Sequence, residues 1–129
     1  MLREIEEKFP LVYEITDTHA ILIGTSIPSL IASDVDFLAG KGYVVTEIAD
    51  GAFANCKELI EVRFHRFVDW IGEDVFKNCH KLDSVTFEGK DTYIDPSNLK
   101  ALKDIKIRCV KDSNVSDLAY EGFNVEIFE

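Results

Sequence analysis

The chain is short of basic residues: 14 Lys and Arg stand against 24 Asp and Glu, a formal net charge of -10 over 129 residues. That sign repels phosphate backbones and anionic headgroups, so nucleic acid is not an expected partner. Long apolar runs are missing as well. Stretches such as "AILIG" fall far below the roughly 20 residues that a membrane-spanning helix needs, so no membrane insertion is expected. The opening "MLREIEEKFP" lacks the positive start, apolar centre and small-residue cleavage site of a secretory signal. As written, the chain is expected in the cytoplasm; a secreted or cell-surface location is the alternative if a signal was removed from a precursor. Cysteines number three, an odd count that fits a reducing compartment better than a disulfide scaffold. The remaining composition is that of one ordinary globular domain, residues 1–129.

Motifs that carry chemistry are equally scarce. No G-x-S-x-G elbow and no C-x-x-C pair occurs, and His19, His65 and His80 are scattered. "GKG" at 40–42 lacks the rest of a phosphate loop. "DVD" at 34–36 lies inside "IPSLIASDVDFLAGKG", which reads as a helical stretch built on Leu30, Ile31, Phe37 and Leu38 and ending at Gly40 and Gly42. Its carboxylates are therefore expected on a solvated face. "NVS" at 114–116 matches a glycosylation acceptor but reads better as the start of the last helix. The expectation is a protein without enzymatic activity, metal or cofactor.

What the sequence does have is repetition. Placing Val45 on Val68 aligns Ile48 with Ile71, Phe53 with Phe76, Asn55 with Asn78, Cys56 with Cys79, Leu59 with Leu82, Val62 with Val85 and Phe64 with Phe87, a period of 23 residues. Each unit ends in L-x-x-V-x-F, whose alternation buries the V and F on one face of a short strand. Leu102, Ile105 and Ile107 read as a third copy, and Val125 and Ile127 as a decayed fourth, both at a 20-residue period, with three residues lost between Leu99 and Leu102. The return segments carry acidic residues suited to capping a brief helix or 3₁₀ turn, at Asp50, at Glu73 and Asp74, and at Asp95 followed by Pro96. Residues 1–42 then form an N-terminal cap that contains a hairpin in "LVYEITDTHAILIG". Residues 43–107 form the repeats, and 108–129 a C-terminal cap with a helix from about Asn114 to Glu121 stopped by Gly122.

The pattern I-x-x-x-A-F-x-x-C-x-x-L-x-x-V-x-F, complete in Ile48, Ala52, Phe53, Cys56, Leu59, Val62 and Phe64, resembles the 23-residue leucine-rich repeat of BspA-like bacterial surface proteins. The second unit matches except at Val75. The resemblance implies a short α/β solenoid with a parallel sheet on its concave face, short helices or turns on the return segments, and a protein partner. Adhesion or another protein contact is the role it implies.

Three sets of residues then matter for function. Cys56 and Cys79, at equivalent positions of adjacent units, are read as buried thiols, although stacked strands would also permit a bridge and a redox or metal role is a further alternative. The outward strand residues form a grid: Glu61, Arg63 and His65, then Ser84, Thr86 and Glu88, then Lys106 and Arg108. Phe67 and Trp70 either fold over the edge of the core or stand out beside His65 and Arg66 as a contact anchor on the rim. A partner is expected on the sheet or on that rim, and pairing of sheet edges or aromatic patches into a homodimer is the remaining alternative.

Overall fold

In the computed structural model, the residues described are 4–8 and 32–35, as backbone, and 11–16, 19–25 and 44–128 in full. The N-terminal cap begins with β1 (Glu4–Lys8), β2 (Leu11–Ile15) and β3 (His19–Thr25), paired antiparallel in sequence order. Then β4 (Ala32–Val35) and β5 (Val44–Ile48) lead into the repeats. The repeats supply β6 (Glu61–Phe64), β7 (Trp70–Ile71), β8 (Ser84–Phe87), β9 (Tyr93–Ile94), α1 (Leu99–Leu102) and β10 (Lys106–Val110), and the chain closes with β11 (Val125–Phe128).

These strands make a solenoid of about three turns with two sheets. The front sheet, in the order β4-β6-β8-β10-β11, is parallel throughout. The back sheet has the order β1-β2-β3-β5-β7-β9 and is parallel from β3 onward. It is an addition to the single sheet that alternation predicts: β7 and β9 are only two residues long, too short to leave a period of 2 in the sequence.

Between the sheets runs one core. In β6 the sequence EVRF alternates exposed and buried, sending Val62 and Phe64 inward, and in β8 Val85 and Phe87 do the same. Phe53 and Phe76 stack with ring centroids 6.4 Å apart and planes 3° from parallel, and Phe64 leans on both Phe76 and Phe87. The register steps by 23 residues from β6 to β8, Val62 facing Val85 and Phe64 facing Phe87.

Several expectations require correction. From β8 to β10 the step is 22 residues, Val85 opposite Ile107 and Phe87 opposite Cys109, and from β10 to β11 Ile107 lies opposite Val125. The inward pair of the third unit is thus Ile107 and Cys109 rather than Ile105 and Ile107. A two-residue slip preserves the facing of every side chain, so alternation alone could not detect it. In the fourth, Ile127 is 46% exposed because β11 ends the front sheet.

The stretch read as a helix around 27–42 contains the strand β4, paired with β6 from Ala32 opposite Glu61 to Val35 opposite Phe64. Main-chain pairing there overrides local pattern. Leu30, Ile31, Phe37, Leu38, Gly40, Gly42 and Asp36 lie outside the described residues.

The return segments of the first two units are turns rather than helices, with Asn55 and Asn78 at φ 65° and 62°. Left-handed backbone is tolerated best by Gly and Asn, which accounts for the Asn shared by both copies. Asp50 caps across the stack, its Oδ1 accepting the Glu73 N–H at 2.7 Å. Gly72 packs so closely on the preceding unit that a Cβ there would run into the Asp50 carboxylate and come within 2.9 Å of its backbone nitrogen.

Only the third unit winds up, as a 3₁₀ helix over Pro96–Asn98 with Asp95 as N-cap, followed by α1. Between the first two units, Gly51 and Phe53 donate to the carbonyls of Glu73 and Val75. In the third, side chains take over as acceptors: Ser97 Oγ for the Asp74 N–H and Asn98 Oδ1 for the Val75 N–H, both at 2.9 Å. The closing helix is 3₁₀, Val115–Glu121, and Gly122 ends it at φ 87° as a left-handed cap.

Candidate partner-binding surfaces

The front sheet presents the predicted grid. Register places Glu61, Ser84 and Lys106 in one row and Arg63, Thr86, Arg108 and Glu126 in the next. Glu61, Arg63, Lys106 and Arg108 are exposed, while Ser84 and Thr86 are half-buried. The cations do not stand free. Arg63 donates through Nε and Nη2 to Glu88, and His65 Nδ1 lies 3.4 Å from the other oxygen of that carboxylate. Arg108 Nε is 3.2 Å and Lys106 Nζ 3.6 Å from Glu126, and the Arg108 guanidinium covers the Phe128 ring at 5.5 Å. Exposed pairs of this kind contribute about 0–1 kcal/mol each. Their effect here is to neutralise the face.

The back sheet presents something different. Register aligns Ile21, Glu47, Trp70 and Tyr93 in one row across β3, β5, β7 and β9. Trp70 and Tyr93 stack with centroids 4.4 Å apart and 30° between planes, and they are 49% and 41% exposed. Such a pair contributes about 0.5–1.5 kcal/mol beyond its burial, which pre-orders both rings.

Of the two alternatives for Phe67 and Trp70, exposure is what the structure shows, but the aromatic partners are not each other. Phe67, 41% exposed in the turn after β6, carries the Arg66 guanidinium 4.9 Å over its ring, whereas Trp70 points out from the back sheet onto Tyr93. The predicted rim therefore divides into a corner and a ledge. Tyr93 and Glu126 are the residues that sequence reasoning missed. The first stands 23 residues after Trp70, one repeat on, and that spacing was the available signal.

The thiols are free, Cys56 and Cys109 buried and Cys79 half-buried. Cys79 Sγ donates to the Phe53 carbonyl at 3.1 Å, and burial, reinforced by neighbouring Cys56, pushes its pKa up from 9.0 to about 11. Burial raises Cys109 as well. A thiol held protonated is a poor nucleophile and a poor metal ligand. Cys79 lines a groove of about 500 Å³ with His80, Lys77 and Lys100, beside the helical winding of the third unit. Among the described residues, no group of three or more His, Cys, Asp or Glu is placed to hold a metal ion, and no helix is long and apolar enough to cross a membrane.

A family model described as the BspA type leucine rich repeat region (6 copies) matches residues 41–127. The chain belongs to this family. Comparison with curated proteins and with solved structures returned no match. In its first BspA-type repeat, every residue of the motif, Ile48, Ala52, Phe53, Cys56, Leu59, Val62 and Phe64, is buried. The family signature is thus a packing signature. The positions the signature leaves open include those that face outward on the two sheets.

Proposed function

We propose that this BspA-type leucine-rich-repeat chain is a non-enzymatic protein-interaction module, and that its partner engages the Trp70–Tyr93 ledge of the back sheet. The observation that carries this reading is the stacked, half-exposed aromatic pair itself. Tryptophan and tyrosine are enriched among the few residues that dominate interface energetics, and rings already stacked lose little side-chain freedom on binding. Phe67 and Arg66 extend the anchor at the corner. The front grid of Glu61, Arg63, His65, Thr86, Glu88, Lys106 and Arg108 plays a lesser part, because its cations are matched to Glu88 and Glu126 within the chain.

The test is capture of the partner from the source cell by tagged protein, followed by affinity measurement with the identified partner. Trp70→Ala is expected to weaken binding by roughly 30-fold, about 2 kcal/mol. Arg63→Glu is expected to change it by less than about threefold. The reverse ranking would move the interface to the front sheet.

A further inference from the structure

The back sheet ends abruptly. Its last strand, β9, has β7 on one side, and the fourth unit provides no strand on the other: β11 joins the front sheet, while the chain leading to it forms the 3₁₀ helix Val115–Glu121. The Tyr93 N–H donates to the Asp69 carbonyl and the Asp95 N–H to that of Ile71, so both point toward β7 and the preceding turn. Alternation along a strand then turns the Ile94 N–H and C=O to the open side. Among the described residues neither group takes a partner.

Beside this open edge lies a groove of about 220 Å³, lined by Thr92, Ile94, Leu99, Val115 and Leu118, with Tyr93 at its side. The lining side chains are apolar apart from Thr92, Asn114 and the Tyr93 hydroxyl, and the Asn114 N–H donates to the Lys90 carbonyl at 2.8 Å. The groove is smaller than the roughly 300–1,000 Å³ typical of small-molecule pockets, but has room for an apolar side chain. A sheet edge with a free donor and acceptor beside such a socket is the arrangement by which proteins take up an extended peptide as an added strand.

Charge decides among possible occupants. Asp91, Asp95 and Asp117 adjoin the lining residues in sequence, against Lys100 next to Leu99 and Lys90 two residues before Thr92, and the whole chain carries -10. A second copy would bring two such charges together.

We propose that the β9 edge and its groove bind an extended peptide segment of a protein partner, one that alternates basic with apolar residues and adds to the back sheet as its next strand. This deepens the interaction-module reading and rests on it. The peptide would place one apolar side chain against Leu99, Val115 and Leu118, exchange hydrogen bonds with Ile94, and run alongside Tyr93.

The test is fluorescence anisotropy on the full chain with a labelled peptide of about seven residues alternating lysine with leucine. Saturable binding below about 1 mM is expected, weakening as salt is raised. The same peptide N-methylated on alternate amides, in either frame, probes the main-chain bonds without altering the protein. The frame that blocks the bonded edge should bind at least tenfold more weakly. Leu118→Lys, with folding checked by circular dichroism, should lose a similar factor, and the glutamate–leucine peptide should not bind.

Absence of saturable binding, equal binding of both N-methylated forms and the parent, or equal binding of the glutamate peptide would overturn the proposal. So would sedimentation showing a concentration-dependent dimer that Leu118→Lys dissolves, since the edge would then serve a second copy. Partner capture with Trp70→Ala reports on the ledge, whereas the peptide titration uses the unaltered chain. The two failures are therefore distinguishable.

Discussion

The two sheets share one core and nearly one register, yet their outer faces have opposite characters. On the front sheet, each Lys and Arg of the grid is answered from inside the chain, Arg63 by Glu88, Lys106 and Arg108 by Glu126, and the His65 ring also lies against Glu88. On the back sheet, Trp70 and Tyr93 stack and remain close to half exposed. The backbone does not cause this difference, since parallel pairing offers outward positions on both faces. Side-chain identity does: a face whose charges are already paired has less to gain from a partner, and one that holds two ordered rings in water has more.

The largest expected effect removes the ground the two faces share. Phe76→Ala takes a ring from between Phe53 and Phe64 and should cost about 3–5 kcal/mol of folding stability, read by chemical denaturation. Both faces should fail together. Asn98→Ala comes next. It leaves the Val75 N–H and the Gly72 carbonyl, which Asn98 bonds at 2.9 and 2.7 Å, without partners, a loss of about 2–3 kcal/mol.

Tyr93→Ala separates the faces. Partner affinity should fall by about 2 kcal/mol, while folding stability changes by only about 1 kcal/mol, the stacking contribution. A loss of stability as large as the loss of affinity would make Tyr93 a core residue instead. Glu88→Gln sharpens the contrast from the front side. It should cost at most about 1 kcal/mol and lose its effect in high salt.

The smallest effect concerns the interior. Cys79 is protonated in the folded state up to about pH 11 against an ordinary 9.0. Its contribution to stability is complete below the unfolded value and is lost as pH rises through the folded one. Comparing wild type with Cys79→Ala between those two values isolates it, and a difference that does not vary with pH would show the thiol to be unperturbed.

The sequence made legible whatever rests on local chemistry or on an exact 23-residue period. Asp95 and Pro96 announced their helix start, Gly122 its helix end, and Val62, Phe64, Val85 and Phe87 their shared face. What stayed hidden depends on pairing between distant segments. In β4, "ASDV" carries no alternating pattern and is a strand because β6 lies beside it. The slip that puts Cys109 rather than Ile107 opposite Phe87 keeps every side chain on its face, so nothing in the hydrophobic pattern could reveal it. Exposure at Trp70 was legible only as one of two alternatives, because its facing is set by β7, whose two residues leave no period to read.

Asn98 has a further consequence. Its side-chain oxygen takes the Val75 amide, whereas between the first pair of units the Phe53 amide goes to a main-chain carbonyl, that of Val75. A main-chain bond at such a joint demands the same outline from both layers. A joint made in part by an amide side chain tolerates a layer of different outline, here a coiled one on top of two flat ones. The coiled third layer is in this way seated on the second without a main-chain match at Val75.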